Sequence, residues 1–94
     1  MLNHNSIYIE SVSKILHKYD PMGLASMGCP KNEYSPEASL ILKQCLRIKT
    51  PSELQNLIYE IFKQMFQPIS VGKLIEYREL SMEIFGKLKI YGVI

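Results

Sequence analysis

The chain predicts an all-α fold: a single-domain antiparallel bundle of about four helices, with a long irregular connection between the first helix and the second. Three observations carry this reading. Apolar residues recur at three- and four-residue steps through four separate segments, the periodicity that lays one face of a helix against a core. Prolines punctuate the segments at Asp20-Pro21, Ser35-Pro36-Glu37, Thr50-Pro51-Ser52-Glu53 and Gln67-Pro68, where they end one helix or open the next. The second and third connections are short, which favours antiparallel neighbours.

The first helix is expected from a Ser6 N-cap to about Lys18. Tyr8, Val12, Ile15 and Tyr19 form one row, and Ile9, Val12 and Leu16 the adjacent one. Glu10, Ser13, Lys14 and His17 fall on the polar face. Asp20-Pro21 ends it, because a residue before proline is pushed from the α region and proline has no amide to donate. The second helix opens with Ser35 as N-cap, Pro36 at the first helical position and Glu37 near the positive end of the dipole. Leu40, Ile41, Leu42, Cys45, Leu46 and Ile48 make it apolar around more than half its circumference, so it is expected to be the most buried and central helix.

Thr50 and Glu53 stand at capping-box spacing and open the third helix. Its stripe, Leu54, Leu57, Ile58, Ile61, Phe62, Met65 and Phe66, is a regular i, i+3, i+4 face. The fourth helix is expected from about Ser70 to Leu88, with Val71, Leu74, Ile75, Met82, Phe85 and Leu88 as its core row. Glu79, Glu83 and Lys87 form an i, i+4 series outside. The final KIYGVI either covers the bundle or stands exposed as a contact, and packing on its own core is the expected role.

Ninety-four residues suffice for one domain, residues 1–94, with a single core. Apolar residues at 47% and charged residues at 21% place the chain among globular proteins. Eleven Lys/Arg against nine Asp/Glu are scattered without a block of like sign, so no nucleic-acid partner is expected. No window approaches the roughly eighteen apolar residues of a membrane span. The N-terminal stretch has no cationic start followed by a long apolar run, so the expected location is the cytoplasm. No repeat at a period of about 20–50 residues indicates a solenoid.

The supply of catalytic groups is thin. His17 and Asp20 stand at i, i+3, but a histidine near a helix C-terminus is favoured by the dipole without any chemistry. Glu33 and Glu37 lie four apart where acidic residues are expected anyway. The one metal cluster that can be drawn, Cys29 with Glu33 and His17, follows no recognised motif. Gly23 and Gly28 form neither GxGxxG nor a Walker loop. No catalytic residue, metal or cofactor is expected. A helix-turn-helix reading of the second and third helices founders on the mixed outer face of Glu53, Gln55, Asn56, Glu60, Lys63 and Gln64.

The segment from Tyr19 to Glu37 concentrates three of the five prolines, two of the five glycines and the lone aspartate. A connection this long is more often functional or tightly packed than idle. Pro21 and Gly23 suit a tight turn, Asp20 can accept backbone amides within it, and Tyr19 and Tyr34 can lay their rings under it with the hydroxyls wet. Met22, Leu24 and Met27 either plug the bundle's end or present an adaptable apolar surface. Asp20, Met22, Met27, Lys31, Glu33, Tyr34 and Glu37 are therefore the candidate partner-binding residues.

Tyr19-Asp20-Pro21-Met22-Gly23-Leu24, then Asn32-Glu33-Tyr34, then Thr50-Pro51-Ser52-Glu53-Leu54 resemble a family of small helical bacterial proteins of unknown function. Its members carry aromatic-Asp-Pro-x-Gly and Asp-Glu-Tyr at the matching places, and some similar proteins are toxin-immunity proteins. The resemblance covers roughly residues 10–67. Tyr19 stands for the family's usual Trp and Asn32 for its usual Asp. The resemblance implies a cytoplasmic, non-catalytic protein-binding module that neutralises a cognate toxin domain by occluding it. The balanced charge is less than such an inhibitor gains from electrostatic steering toward a basic nuclease. The contrasting expectation is a small enzyme or ligand-binding bundle using Asp20, Glu33, His17 and Tyr34 around a pocket at the loop.

Overall fold

Four helices build the chain: α1 at His4–Tyr19, α2 at Ser35–Gln44, α3 at Pro51–Met65 and α4 at Arg78–Ile90. The computed structural model describes residues 4–24, 26–28 and 31–94. Single 3₁₀ turns sit at Lys31–Tyr34, Cys45–Arg47, Pro68–Ser70 and Leu74–Tyr77, and no strand occurs among the described residues. α1 packs on α2 and α4, and α3 packs on the same two, which closes the helices into a ring around one core. α1 and α4 run antiparallel: Tyr8 meets Tyr91 at one end, and Lys18 meets Glu83 at the other. The radius of gyration, 12.4 Å, is that of one compact body of this length, for which about 12 Å is typical.

The core takes Val12, Ile15 and Leu16 from α1, Ala38 and Ile41 from α2, Leu54, Ile58, Ile61 and Phe62 from α3, and Leu80, Ile84 and Leu88 from α4. Each large side chain so buried contributes about 1.5–3 kcal/mol over leaving it in water. α3 starts as its local chemistry dictates. Glu53 N–H donates to Thr50 Oγ1 at 3.2 Å, while Glu53 Oε1 accepts from the amides of Thr50 and Lys49 at 3.2 and 2.7 Å. Four orphan amides open every helix, and this box satisfies part of that deficit.

Other boundaries depart from expectation. α1 begins at His4, so Ser6 lies inside the helix and not at its cap. The position before α2 belongs to Tyr34, with no side-chain cap, because the preceding 3₁₀ turn runs straight into the helix and leaves Ser35 and Pro36 as its first residues. α2 is not the most buried helix. It stops at Gln44, its turn exposes Leu46 at 74%, and α3 buries the larger set.

The fourth helix differs most. Gly72 adopts φ +77°, a left-handed conformation that glycine takes at little steric cost, and the chain is broken there into an irregular stretch. A short turn restarts it, with Glu76 Oε1 accepting from Lys73 N–H at 3.2 Å, and α4 begins only at Arg78. This rotates the buried row to Leu80, Ser81, Ile84 and Leu88, with Tyr77 just ahead, and leaves Leu74, Ile75 and Met82 exposed. The tail packs on the bundle. Gly92 N–H donates to Lys89 O at 3.0 Å and Val93 N–H to Leu88 O at 2.9 Å, a Schellman ending that turns Val93 and Ile94 against the core.

Ile84→Ala should therefore cost about 2–5 kcal/mol of unfolding free energy, and Met82→Ala no more than about 0.5 kcal/mol. Urea denaturation of the two variants distinguishes this helix phase from the one with Met82 inside, which requires the reverse order.

Candidate functional site

The connection between α1 and α2 is held by its own polar groups. Asp20 N–H donates to Leu16 O at 2.7 Å, and Asp20 itself has φ +50°, a left-handed conformation that aspartate tolerates better than most residues. Its carbonyl accepts from Gly23 N–H at 3.0 Å, which closes a four-residue turn with Pro21 in the position that suits its fixed φ. Both carboxylate oxygens are engaged: Oδ1 accepts from the Tyr34 hydroxyl at 2.8 Å, and Oδ2 from the Ser26 amide and hydroxyl at 3.1 and 3.0 Å. The Tyr34 oxygen also accepts from Met22 N–H at 3.1 Å.

Tyr34 has no exposed surface, and its ring lies 6.1 Å from that of Phe62 on α3. Burial raises its pKa far above the ordinary phenol range, so it remains the donor to Asp20. The expectation of a wet hydroxyl fails here, because the bond to Asp20 replaces water. Tyr19 is the more accessible ring, and its hydroxyl donates to Glu83 Oε1 at 2.8 Å.

The candidate contact residues separate into two groups. Tyr34 is inside, Glu37 is 97% covered at 3% exposure, and Met22 is half-buried against the core. Met27 is 70% exposed at the outer tip of the loop, where its amide donates to Gly23 O and Leu24 O at 3.2 and 3.1 Å. Glu33 is also exposed. Lys31 opens the turn before α2, and its side chain lies outside the described set, as does Cys29. Among the described residues no group of three or more His, Cys, Asp or Glu could hold a metal ion. Cys45 is a buried free thiol whose pKa is pushed up by burial.

Glu37 is the unusual member. Its Oε1 has no hydrogen-bond partner among the described residues, and its pKa is raised, first by burial and then by the Glu33 charge.

Three grooves among the described residues hold none of the candidate set, and two of them exceed the third, at Ile9, Ser39, Leu42 and Lys43, in volume. One of about 300 Å³ lies between α1 and α4 and is lined by Ser11, Lys14, Ile15, Lys18, Glu83 and Lys87. The lysines of α1 are one turn apart in sequence, but their meeting with Lys87 depends on helix register, which no local pattern encodes. The other, of about 370 Å³, lies where Thr50, Pro51, Ser52 and Gln55 face Arg78 and Met82. No helix among the described residues is long and apolar enough to cross a membrane. No protein-family model, curated protein or solved structure matches the chain.

Removing the phenolic oxygen with Tyr34→Phe leaves Asp20 Oδ1 and the Met22 amide short of a partner and should cost about 1–3 kcal/mol. For a domain of this size the melting temperature falls by about 4 °C or more, and an unchanged melting temperature would remove the bond from the loop's support. A second prediction concerns pH. Glu37 binds its proton more tightly folded than unfolded, so its contribution favours the folded state below the ordinary carboxyl value, about 4.3. That contribution is lost as pH rises through the higher folded value. Glu37→Gln should abolish this slope, so the variant gains on the parent in urea midpoint from about pH 4 toward neutrality; parallel pH profiles would contradict a raised Glu37.

Proposed function

We propose that the chain is a non-catalytic protein-binding module, and most concretely an immunity protein that occludes a bacterial toxin domain. One observation carries the reading: the loop commits Asp20 and Tyr34 to its own support and turns an apolar residue outward. Asp20 and the Tyr34 hydroxyl are bonded to each other, whereas Met27 stands 70% exposed on a turn held from both sides. A pre-ordered loop loses less conformational freedom on binding than a floppy one, and methionine adapts its shape to an opposing surface. A stable interface needs roughly 1,200–2,000 Å² in total, which the loop supplies together with the adjoining helix surfaces. The resemblance of the Asp20-Pro21-Met22-Gly23 and Asn32-Glu33-Tyr34 segments to small helical bacterial proteins of unknown function, some of whose similar proteins are immunity proteins, supports the concrete form.

Tagged protein should recover one predominant toxin fragment from its native cells and protect cells that express that fragment. Met27→Asp should weaken capture by more than about tenfold with no change in melting temperature. A chain that captures no protein overturns the binding reading, and one that binds the fragment without protecting cells overturns the immunity form.

A further inference from the structure

We propose that the groove between α1 and α4 is a carboxylate-recognition site that takes an acidic segment of the partner protein; this rests on the protein-binding reading above. The antiparallel register is set at both ends. At one, the Tyr8 and Tyr91 rings lie 5.0 Å apart and the Tyr91 and Ser11 hydroxyls 2.6 Å apart. At the other, Glu83 accepts from Lys18 at 3.0 and 3.3 Å and from Tyr19 at 2.8 Å. Between these fixed ends Lys14 of α1 and Lys87 of α4 line the same groove.

The charge there is not balanced. Three ammonium groups share the groove with one carboxylate, Glu83, which is already engaged by Lys18 and Tyr19 and is held below the usual carboxylate range by them. Lys14 reaches Glu10 only at 3.9 Å, with both side chains well exposed, a pairing of small worth. Lys87 is half-buried and makes no ion pair among the described residues. Lys87 also acts on Glu83 through space, but one carboxylate against three ammonium groups leaves the cleft with an excess of positive charge, and its lining includes Ile15, 5% exposed. Beside such a wall an anion interacts more strongly than in open water.

The volume, about 300 Å³, is at the small end for ligand sites and suits one or two carboxylate side chains. A nucleic-acid backbone needs a longer basic track, and Glu10 and Glu79, exposed on the same two helices, oppose a run of phosphates. An acidic peptide segment is the occupant these charges favour.

The test is a titration of ¹⁵N-labelled chain with hexaglutamate at low salt, followed by amide shifts. Shifts should saturate and cluster at residues 11–18 and 83–87. The double variant Lys14→Gln/Lys87→Gln, checked for an unchanged melting temperature, should bind about fivefold more weakly. Shifts spread over distant lysines such as Lys43, Lys49 and Lys63, or equal affinity in the double variant, overturn the site. Equal shifts with inorganic phosphate identify a bare anion site and overturn the acidic segment, as does tighter binding of a short DNA duplex. Failure with hexaglutamate while the tagged chain still captures its fragment rejects the groove alone. Groove binding without capture rejects the protein-binding reading instead.

Discussion

Tyr34 donates to Asp20 across fourteen positions of chain, and the bond ties the last turn of α1 to the turn that becomes α2. Its importance comes from what else each partner does. Asp20 ends α1 in a left-handed conformation and gathers Ser26 with its second oxygen. Tyr34 places its ring in the core against Phe62. One hydrogen bond therefore links the exit of α1, the start of α2 and the buried face of α3. Because the acceptor is a carboxylate and the donor is removed from water, it belongs to the stronger class of hydrogen bonds, and leaving either group unpaired is correspondingly costly.

The second irregular stretch, between α3 and α4, is secured in the same way. The Tyr77 hydroxyl donates to Val71 O at 2.6 Å, Tyr59 to Gly72 O at 2.8 Å and Gln55 to Leu74 O at 2.8 Å. Burial pushes the Tyr77 pKa up to about 12, so this phenol also remains a donor. The two systems meet at Phe62, whose ring is 6.1 Å from Tyr34 and 5.5 Å from Tyr77, both within the range where aromatic pairs attract. α3 is thus the wall against which both connections are braced. Its strong cap and regular stripe explain why it can serve as that wall.

The features legible in the sequence are those whose causes lie within about a turn of chain. The Thr50–Glu53 box and the Leu54–Ile58–Phe62 stripe both act between residues three or four apart, and both are present in the fold. The expected phase of α4 fails for the complementary reason. Val71, Leu74 and Ile75 satisfy a helical period locally, but Gly72 breaks the chain and Tyr77 is drawn inward by Val71 O and the α3 rings, so the core row restarts from Leu80. At the loop, Asp20 and Tyr34 were conspicuous as residues while their bond was not, since proximity over fourteen positions is a property of packing. Lys14 and Lys87 illustrate the same limit, because no short-range pattern reveals which face of α4 lies against α1.

The bracing also bears on how the molecule can recognise anything. Ordering the backbone of a free residue costs about 1–2 kcal/mol, so a loose connection of this length would consume most of the energy of a small contact. Here Asp20, Ser26 and Tyr34 hold the described part of the turn that shows Met27 to solvent. A contact made through a turn held in this way would cost mainly side-chain freedom, with little backbone movement. The same bonds bear on the basicity of Asp20. A carboxylate that accepts from donors at 2.8–3.1 Å on both oxygens is stabilised in its charged form and is a weaker base for it. The bonds that order the turn around Asp20 thus also lower the basicity of its carboxylate.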